Sequence, residues 1–171
     1  METTESKKWK MWEAILDLKT CYDCREKHGK IYAIKEKVIP PPPLHWFCRC
    51  QIVRLRAILA GNATKLGVMG ADWWIKYYGK LPDYYVSKSE AEKAGWKRKK
   101  ANLGEVMPKK MIGGNVYQNK NGHLPSAPRR IWYEADINYS TGYRGNNRIV
   151  YSSDGLIFVT YDHYETFIEI K

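Results

Sequence analysis

At 171 residues, with 44% hydrophobic and 27% charged side chains, the chain has room for one ordinary domain, or for one of about 100 residues with a small appendage. Its 29 Lys and Arg against 18 Asp and Glu give a net charge of +11, a balance that suits a polyanionic partner by counterion release and electrostatic steering. The opening Met1 to Lys8 has no apolar run of signal-peptide length, and no later stretch is long and apolar enough to span a bilayer, so neither a signal peptide nor a membrane segment is expected.

The basic excess is spread, with 13 cations against 7 anions in residues 1–70 and 16 against 11 in residues 71–171. The cysteines are not: all four lie between Cys21 and Cys50. That shift in composition predicts a Cys-rich module over residues 1–58, a linker over 59–70 and a second domain over 71–171.

In chain order, Ser6 is placed to cap a helix carrying Trp9, Trp12, Ile15 and Leu16 on one face. Pro40 to Pro43 must stay out of helices and central strands. Gln51 to Arg56 alternates as a strand, and Gly61 to Gly70 reads as the linker. Cys21-x-x-Cys24 with His45-x-x-Cys48-x-Cys50 has metal-ligand spacing and offers five candidates for the four positions of a tetrahedral Zn²⁺. A module this short buries little core, so a structural zinc would supply the missing stability. Two disulfides or four free thiols are the competing readings.

From Ala71 the pattern becomes α+β. Ala71 to Tyr78 reads as a helix stopped by Gly79, and Ser87-Lys-Ser-Glu90 is a capping box for a second helix stopped by Gly95. Asn102 is placed to cap a short third turn. Then come five expected strands, over 111–117, 131–137, 147–152, 156–160 and 166–170, with Asp154-Gly155 as a hairpin turn. Helices followed by strands predict short helices packed on one antiparallel five-stranded sheet.

Within Ile131 to Tyr139, alternation puts Trp132, Glu134, Asp136 and Asn138 on one face. Arg144 and Arg148 follow, then Asp162-His163-Tyr164. Taken singly, these are ordinary ion pairs and a surface imidazole. In combination, a carboxylate base, an imidazole acid and guanidinium donors are what cleavage of RNA through its own 2′-hydroxyl requires.

These residues carry a resemblance. Lys80-Leu-Pro-Asp83, Lys88-Ser-Glu-Ala91, Gly95-Trp96, Ile112-Gly-Gly114, Glu134 to Tyr139, Tyr151-Ser-Ser-Asp154 and Asp162-His-Tyr164 occur in the order found in the barnase-like, guanyl-preferring bacterial ribonucleases. The resemblance implies Glu134 as general base, His163 as general acid, Arg144, Arg148 and Lys88 at the scissile phosphate, and Tyr164 at the substrate site. It implies single-stranded RNA as substrate, a 2′,3′-cyclic phosphate product and no catalytic cofactor. An acidic, barstar-like immunity protein is the expected partner of a monomeric toxin.

The resemblance also places Asn119, Lys120 and Asn121 in the base-reading loop. Here Lys120 stands where those enzymes have Arg, Asn121 where they have Glu, Asn115 where they have Asp and Gly155 where they have Trp. Guanine preference is expected to weaken.

Cys21 to Cys24, Gly29 to Tyr32 and Pro42 to Cys50 resemble in turn the end of the phage Mu F-like head morphogenesis domain. This likeness implies association with a phage head and delivery outside the cell by a particle. A virion structural or nucleic-acid-binding protein whose ribonuclease-like domain only binds RNA is the alternative reading.

Overall fold

The computed structural model describes residues 1–171. Its first element departs from the helical spacing of Trp9 and Trp12. Thr4–Glu13 is a strand, β1. Ser6 caps no helix; its Oγ accepts from the amides of Lys8 and Trp9 at 3.1 and 3.0 Å, where pairing with β3 (Gln51–Ile58) shifts register between Glu5 and Lys10. Beyond that irregularity β1 lies between β2 (Ile31–Ala33) and β3, antiparallel to both. Trp12 is fully buried against Tyr32 and Val38. Ladders on both sides and this burial outweigh a local helical period, because strand preference is mostly a matter of tertiary fit. Ile15 and Leu16 fall beyond the strand and are exposed.

A short helix, α1 (Tyr22–Lys27), starts at Cys21, whose Sγ accepts from the Cys24 amide. Pro40 to Pro43 lies outside helix and strand. Residues 59–70 are tied down: buried Asp72 accepts from the amides of Gly61 and Ala63 at 2.7 and 3.0 Å, and Ala60 and Ala63 join the core.

In the second half α2 (Ala71–Tyr78) ends at Gly79, whose left-handed φ of 69° suits a residue without a Cβ. A strand of two residues, β4 (Tyr85–Val86), leads into α3 (Lys88–Lys93), which carries the complete capping box of Ser87 and Glu90. Asn102 precedes α4 (Leu103–Val106), yet its side chain does not cap it. Its Oδ1 accepts from the Lys97 amide and its Nδ2 donates to the Gly95 carbonyl.

The five expected strands form as β5 (Met111–Tyr117), β6 (Trp132–Asp136), β7 (Arg148–Ser152), β8 (Ile157–Thr160) and β9 (Ile168–Ile170). The fold is α+β, but the sheet has nine strands rather than five, in the order β2-β1-β3-β9-β8-β7-β6-β5-β4. Two of its pairings, β3 with β9 and β4 with β5, are parallel. An open edge on β9 would expose unpaired backbone groups, and the N-terminal strands cover it. Apolar residues lie on both faces. Ile75 of α2 packs with Ala135, Ile137, Ile149 and Val159. Opposite, Ile31 and Leu55 of the N-terminal segment pack with Leu124, Trp132, Val150, Phe158 and Phe167. Full burial of each such side chain contributes about 1.5–3 kcal/mol, so this shared layer couples the two halves of the chain.

Candidate active site

Strand β6 sets the site because alternation turns Glu134 and Asp136 to one face, and both are buried. Glu134 pairs across the sheet with Asn115 on β5 and Val150 on β7. Its Oε1 accepts from Lys88 Nζ at 2.6 Å, and its Oε2 accepts from the Tyr164 hydroxyl. Lys88 opens α3, and its own amide donates to Asn115 Oδ1 at 3.2 Å. Burial pushes the Glu134 carboxyl up, but hydrogen bonds from Lys88 and Tyr164 and the charges of Lys88 and Arg144 bring it below the ordinary glutamate value. It is therefore ionised near neutral pH. The Tyr164 phenol is raised by its own burial and by Glu134, so it stays a donor.

Asp136, two residues on, has no exposed surface. It takes a two-pronged contact from Arg144, Nε to Oδ2 and Nη2 to Oδ1, both at 2.7 Å. Arg148 Nε lies 3.1 Å from Asp136 Oδ1, and its Nη1 donates to the carbonyls of Gly145 and Asn147 at 3.0 and 2.8 Å. Although that Nε is within ion-pairing range, its geometry makes no hydrogen bond. Sequence reasoning assigned Asp136 no role. The signal was available in its spacing, two residues from Glu134 on one strand face.

His163 and Tyr164 both have left-handed backbone, with φ of 57° and 72°. Each such residue costs of order 1–3 kcal/mol unless its surroundings fix it. Asp162 does so: its Oδ1 accepts from Thr160 Oγ1 at 2.8 Å and the Thr166 amide at 2.9 Å. Thr160 Oγ1 in turn accepts from the Tyr164 amide at 3.0 Å, while the His163 amide donates to the Asn146 carbonyl at 3.2 Å. His163 thereby lines an open cleft of about 350 Å³ with Arg144, Arg148, Trp96 and Arg98. Arg98 is a further cation, which no motif or spacing singles out. No hydrogen bond joins His163 to Glu134; Tyr164 connects them, bonded to Glu134 and with its ring centroid 4.9 Å from that of His163.

The loop after β5 approaches from the other side. Asn119, in left-handed conformation, shapes it by exchanging two hydrogen bonds with the backbone of Leu124. Asn121 accepts from the His123 amide at 3.1 Å and donates to the Tyr164 carbonyl at 3.4 Å. Tyr117 stacks on Tyr164 with centroids 4.7 Å apart. Lys120 is exposed.

The five N-terminal candidates converge elsewhere. His45 Nε2 lies 3.1 Å from Cys21 Sγ and 3.4 Å from Cys24 Sγ, and Cys24 Sγ lies 3.6 Å from Cys48 Sγ. Cys24, Cys48 and Cys50 form a second close group. No two sulfurs are bonded. His45 Nδ1 is 2.7 Å from the Trp46 carbonyl, which leaves Nε2 for the sulfur cluster.

A buried, ionised carboxylate beside a lysine, and an imidazole lining one cleft with two arginines, are the groups an acid–base enzyme for phosphodiester substrates would use. Residues 75–171 match the ribonuclease family, and the chain belongs to it. Residues 1–53 match the family of Phage Mu protein F like proteins. A ribonuclease of Heyndrickxia coagulans is 54% identical over 101 residues, covering 59% of this chain and 92% of that protein. Ribonucleases of Bacillus intermedius and Bacillus pumilus are also 54% identical over 101 residues, again 59% of this chain but 62% of each relative.

Proposed function

We propose that this endoribonuclease cuts single-stranded RNA by transphosphorylation, with Glu134 as general base and His163 as general acid. The observation that carries the reading is the buried Glu134 carboxylate kept ionised between Lys88 and Tyr164. Each of its oxygens has a second lone pair, so it can still accept a proton. Glu134 takes the 2′-hydroxyl proton as the 2′-oxygen attacks phosphorus. The bond from phosphorus to the 5′-oxygen breaks, and protonated His163 gives its proton to that leaving oxygen. A 2′,3′-cyclic phosphate and a 5′-hydroxyl result, and water opens the cycle later with the two roles exchanged. Charge on the phosphoryl oxygens is met by Arg144, Arg148 and Lys88, all held in place before substrate binds. A module that only bound RNA would need no such acid and base.

Freed of Mg²⁺ and Mn²⁺, the full chain should cut single-stranded RNA and leave cyclic phosphate ends, detected by mass spectrometry of the products, at a rate that added Mg²⁺ does not change. Strict dependence on Mg²⁺, or cleavage of the 2′-deoxy substrate, sinks the mechanism.

The cysteine cluster supports a structural zinc held by Cys21, Cys24, Cys48 and either His45 or Cys50. Ligand sulfurs about 2.3 Å from a tetrahedral zinc sit roughly 3.8 Å apart, whereas a disulfide holds them at about 2.05 Å. The 3.6 Å between Cys24 and Cys48 fits the former. A carbonyl partner on the other ring nitrogen is the usual way a zinc-bound His is oriented, and Trp46 supplies it. Native mass spectrometry should find one zinc per chain; disulfide-linked cysteines in protein purified under reducing conditions would reverse the assignment.

The positive cleft suits an acidic immunity protein that plugs it, and the Mu F-like segment suits carriage by a phage-type particle. Purification of the chain from its source should bring down an acidic partner that Arg144→Glu releases, and the chain should be present in isolated particles. An inhibitor that binds Arg144→Glu as tightly as the unaltered chain would be seated elsewhere.

A further inference from the structure

His123 falls outside the acid–base cluster and is buried. Its side chain crosses from the loop after β5 into the Cys-rich segment, where Nε2 donates to the Glu26 carbonyl at 3.0 Å. The carbonyl of His123 accepts from the Ile31 amide at 2.8 Å. Glu26 belongs to α1, the helix that begins between Cys21 and Cys24. Next to His123, Leu124 is almost fully buried with Ile31. Gly29 completes the contact: a Cβ there would stand 1.9 Å from the Glu165 carbonyl oxygen and 3.3 Å from His123 Nδ1.

The loop so gripped is the one that reaches the reaction centre. The His123 amide holds Asn121 Oδ1, Asn121 holds the Tyr164 carbonyl, and Tyr164 holds Glu134. A loop of exposed polar residues has no apolar core of its own to fix its shape. Beyond the two bonds that Asn119 exchanges with Leu124, the fixing here comes from a segment that residues 75–171, the part matching the ribonuclease family, do not contain.

We propose that His123 is a positioning residue through which the Cys-rich segment sets the conformation of the base-reading loop and hence the enzyme's choice of base. This rests on the reading of Asn119 to Asn121 as the loop that contacts the base. His123 does not line the cleft of His163, Arg144 and Arg148, so its loss should act on recognition rather than on proton transfer.

The test uses the full chain and two dinucleotide substrates that differ only in guanine or adenine 5′ to the cut. His123→Ala should raise KM for the guanine substrate about five- to tenfold, the effect of one or two ordinary hydrogen bonds. It should leave kcat and the adenine substrate within about twofold, so the guanine-to-adenine ratio of kcat/KM falls. His123→Gln, which keeps an N–H donor, should recover part of the ratio. If His123→Ala does not fold, Gly29→Ala serves in its place, since it drives the same contact apart from the other side. Hydrogen exchange over residues 118–124 should rise in either variant.

Asn121→Glu is measured alongside and should raise the ratio, because a carboxylate accepts from both N–H groups on guanine's pairing edge where an amide offers one oxygen. If Asn121→Glu moves the ratio and the His123 and Gly29 variants do not, the clamp is overturned while base reading stands. If none of them moves it, the loop does not read the base and the clamp falls with that reading. A lower melting temperature with an unchanged ratio identifies His123 as merely structural.

Discussion

Replacing Glu134 or His163 by Ala is expected to lower turnover roughly 10²–10⁴-fold, the usual worth of a positioned base or acid. The two replacements differ in what else they disturb. Glu134 is buried against Lys88 and Tyr164, so Glu134→Ala also leaves an ammonium and a phenol without their acceptor. His163 is exposed, and its ring makes no hydrogen bond on which packing depends. His163→Ala should therefore match the unaltered chain in thermal melting while losing activity.

The pH profile separates the roles further. Glu134 acts as base only when ionised, so activity is lost as pH falls through its pKa, which lies below the ordinary glutamate value because Lys88 and Tyr164 outweigh burial. The same depression stabilises the fold above the unfolded pKa and is lost as pH falls through the folded one. Lys88→Ala removes a cation beside the carboxylate, and the acid limb of kcat/KM should move up. A limb that stays put would show that another group sets it, and a loss of only a few-fold in both Ala variants would mean the roles are misassigned.

The second large effect is expected at Asp136. Its carboxylate is fully buried and is the shared counter-charge of Arg144 and Arg148, which are themselves mostly buried. Removing one member of a buried ionic group strands the others in a poorly solvated place, at a cost of about 3–5 kcal/mol. In a chain of this size that corresponds to a fall in Tm of roughly 6–20 °C. Activity should fall as well, since the guanidinium groups lose the contact that orients them. Asp136→Asn keeps one acceptor oxygen and the shape, and should lie between Asp136→Ala and the unaltered chain. Calorimetry decides: a Tm within about 2 °C for Asp136→Ala would show that backbone carbonyls suffice to hold Arg148 and that Arg144 does not need its buried counter-charge.

Much of the second half was legible residue by residue. The capping box at Ser87, the stop at Gly79 and the alternation of β6 are local, and each depends on neighbours within four positions. Glu134, His163, Arg144, Arg148 and Lys88 are reached by motif, and the structure puts Glu134 in contact with Lys88 and lines one cleft with His163 and the two arginines. Asp136 went unassigned because a buried carboxylate and an exposed one look alike in a sequence; only its burial between two arginines distinguishes it.

The N-terminal half was harder to read, for a physical reason. Trp9 and Trp12 share a helical face on paper, yet which period wins depends on β2 and β3, more than 15 residues away along the chain. Cys21-x-x-Cys24 and His45-x-x-Cys48-x-Cys50 are each legible from spacing, which is short-range chemistry, but their meeting across 24 positions was decided by tertiary structure. That these segments add three strands to the β9 edge, and that Glu26 and Ile31 grip the loop at His123, was decided by tertiary structure alone. Such pairings join backbone groups as far apart in the chain as Ala57 and Glu169, and backbone groups carry no side-chain signature. By itself the sequence determined the chemistry this protein holds and the order of its two parts; the fold decided how one part bears on the other, because an open sheet edge and an unsupported loop are satisfied only in three dimensions.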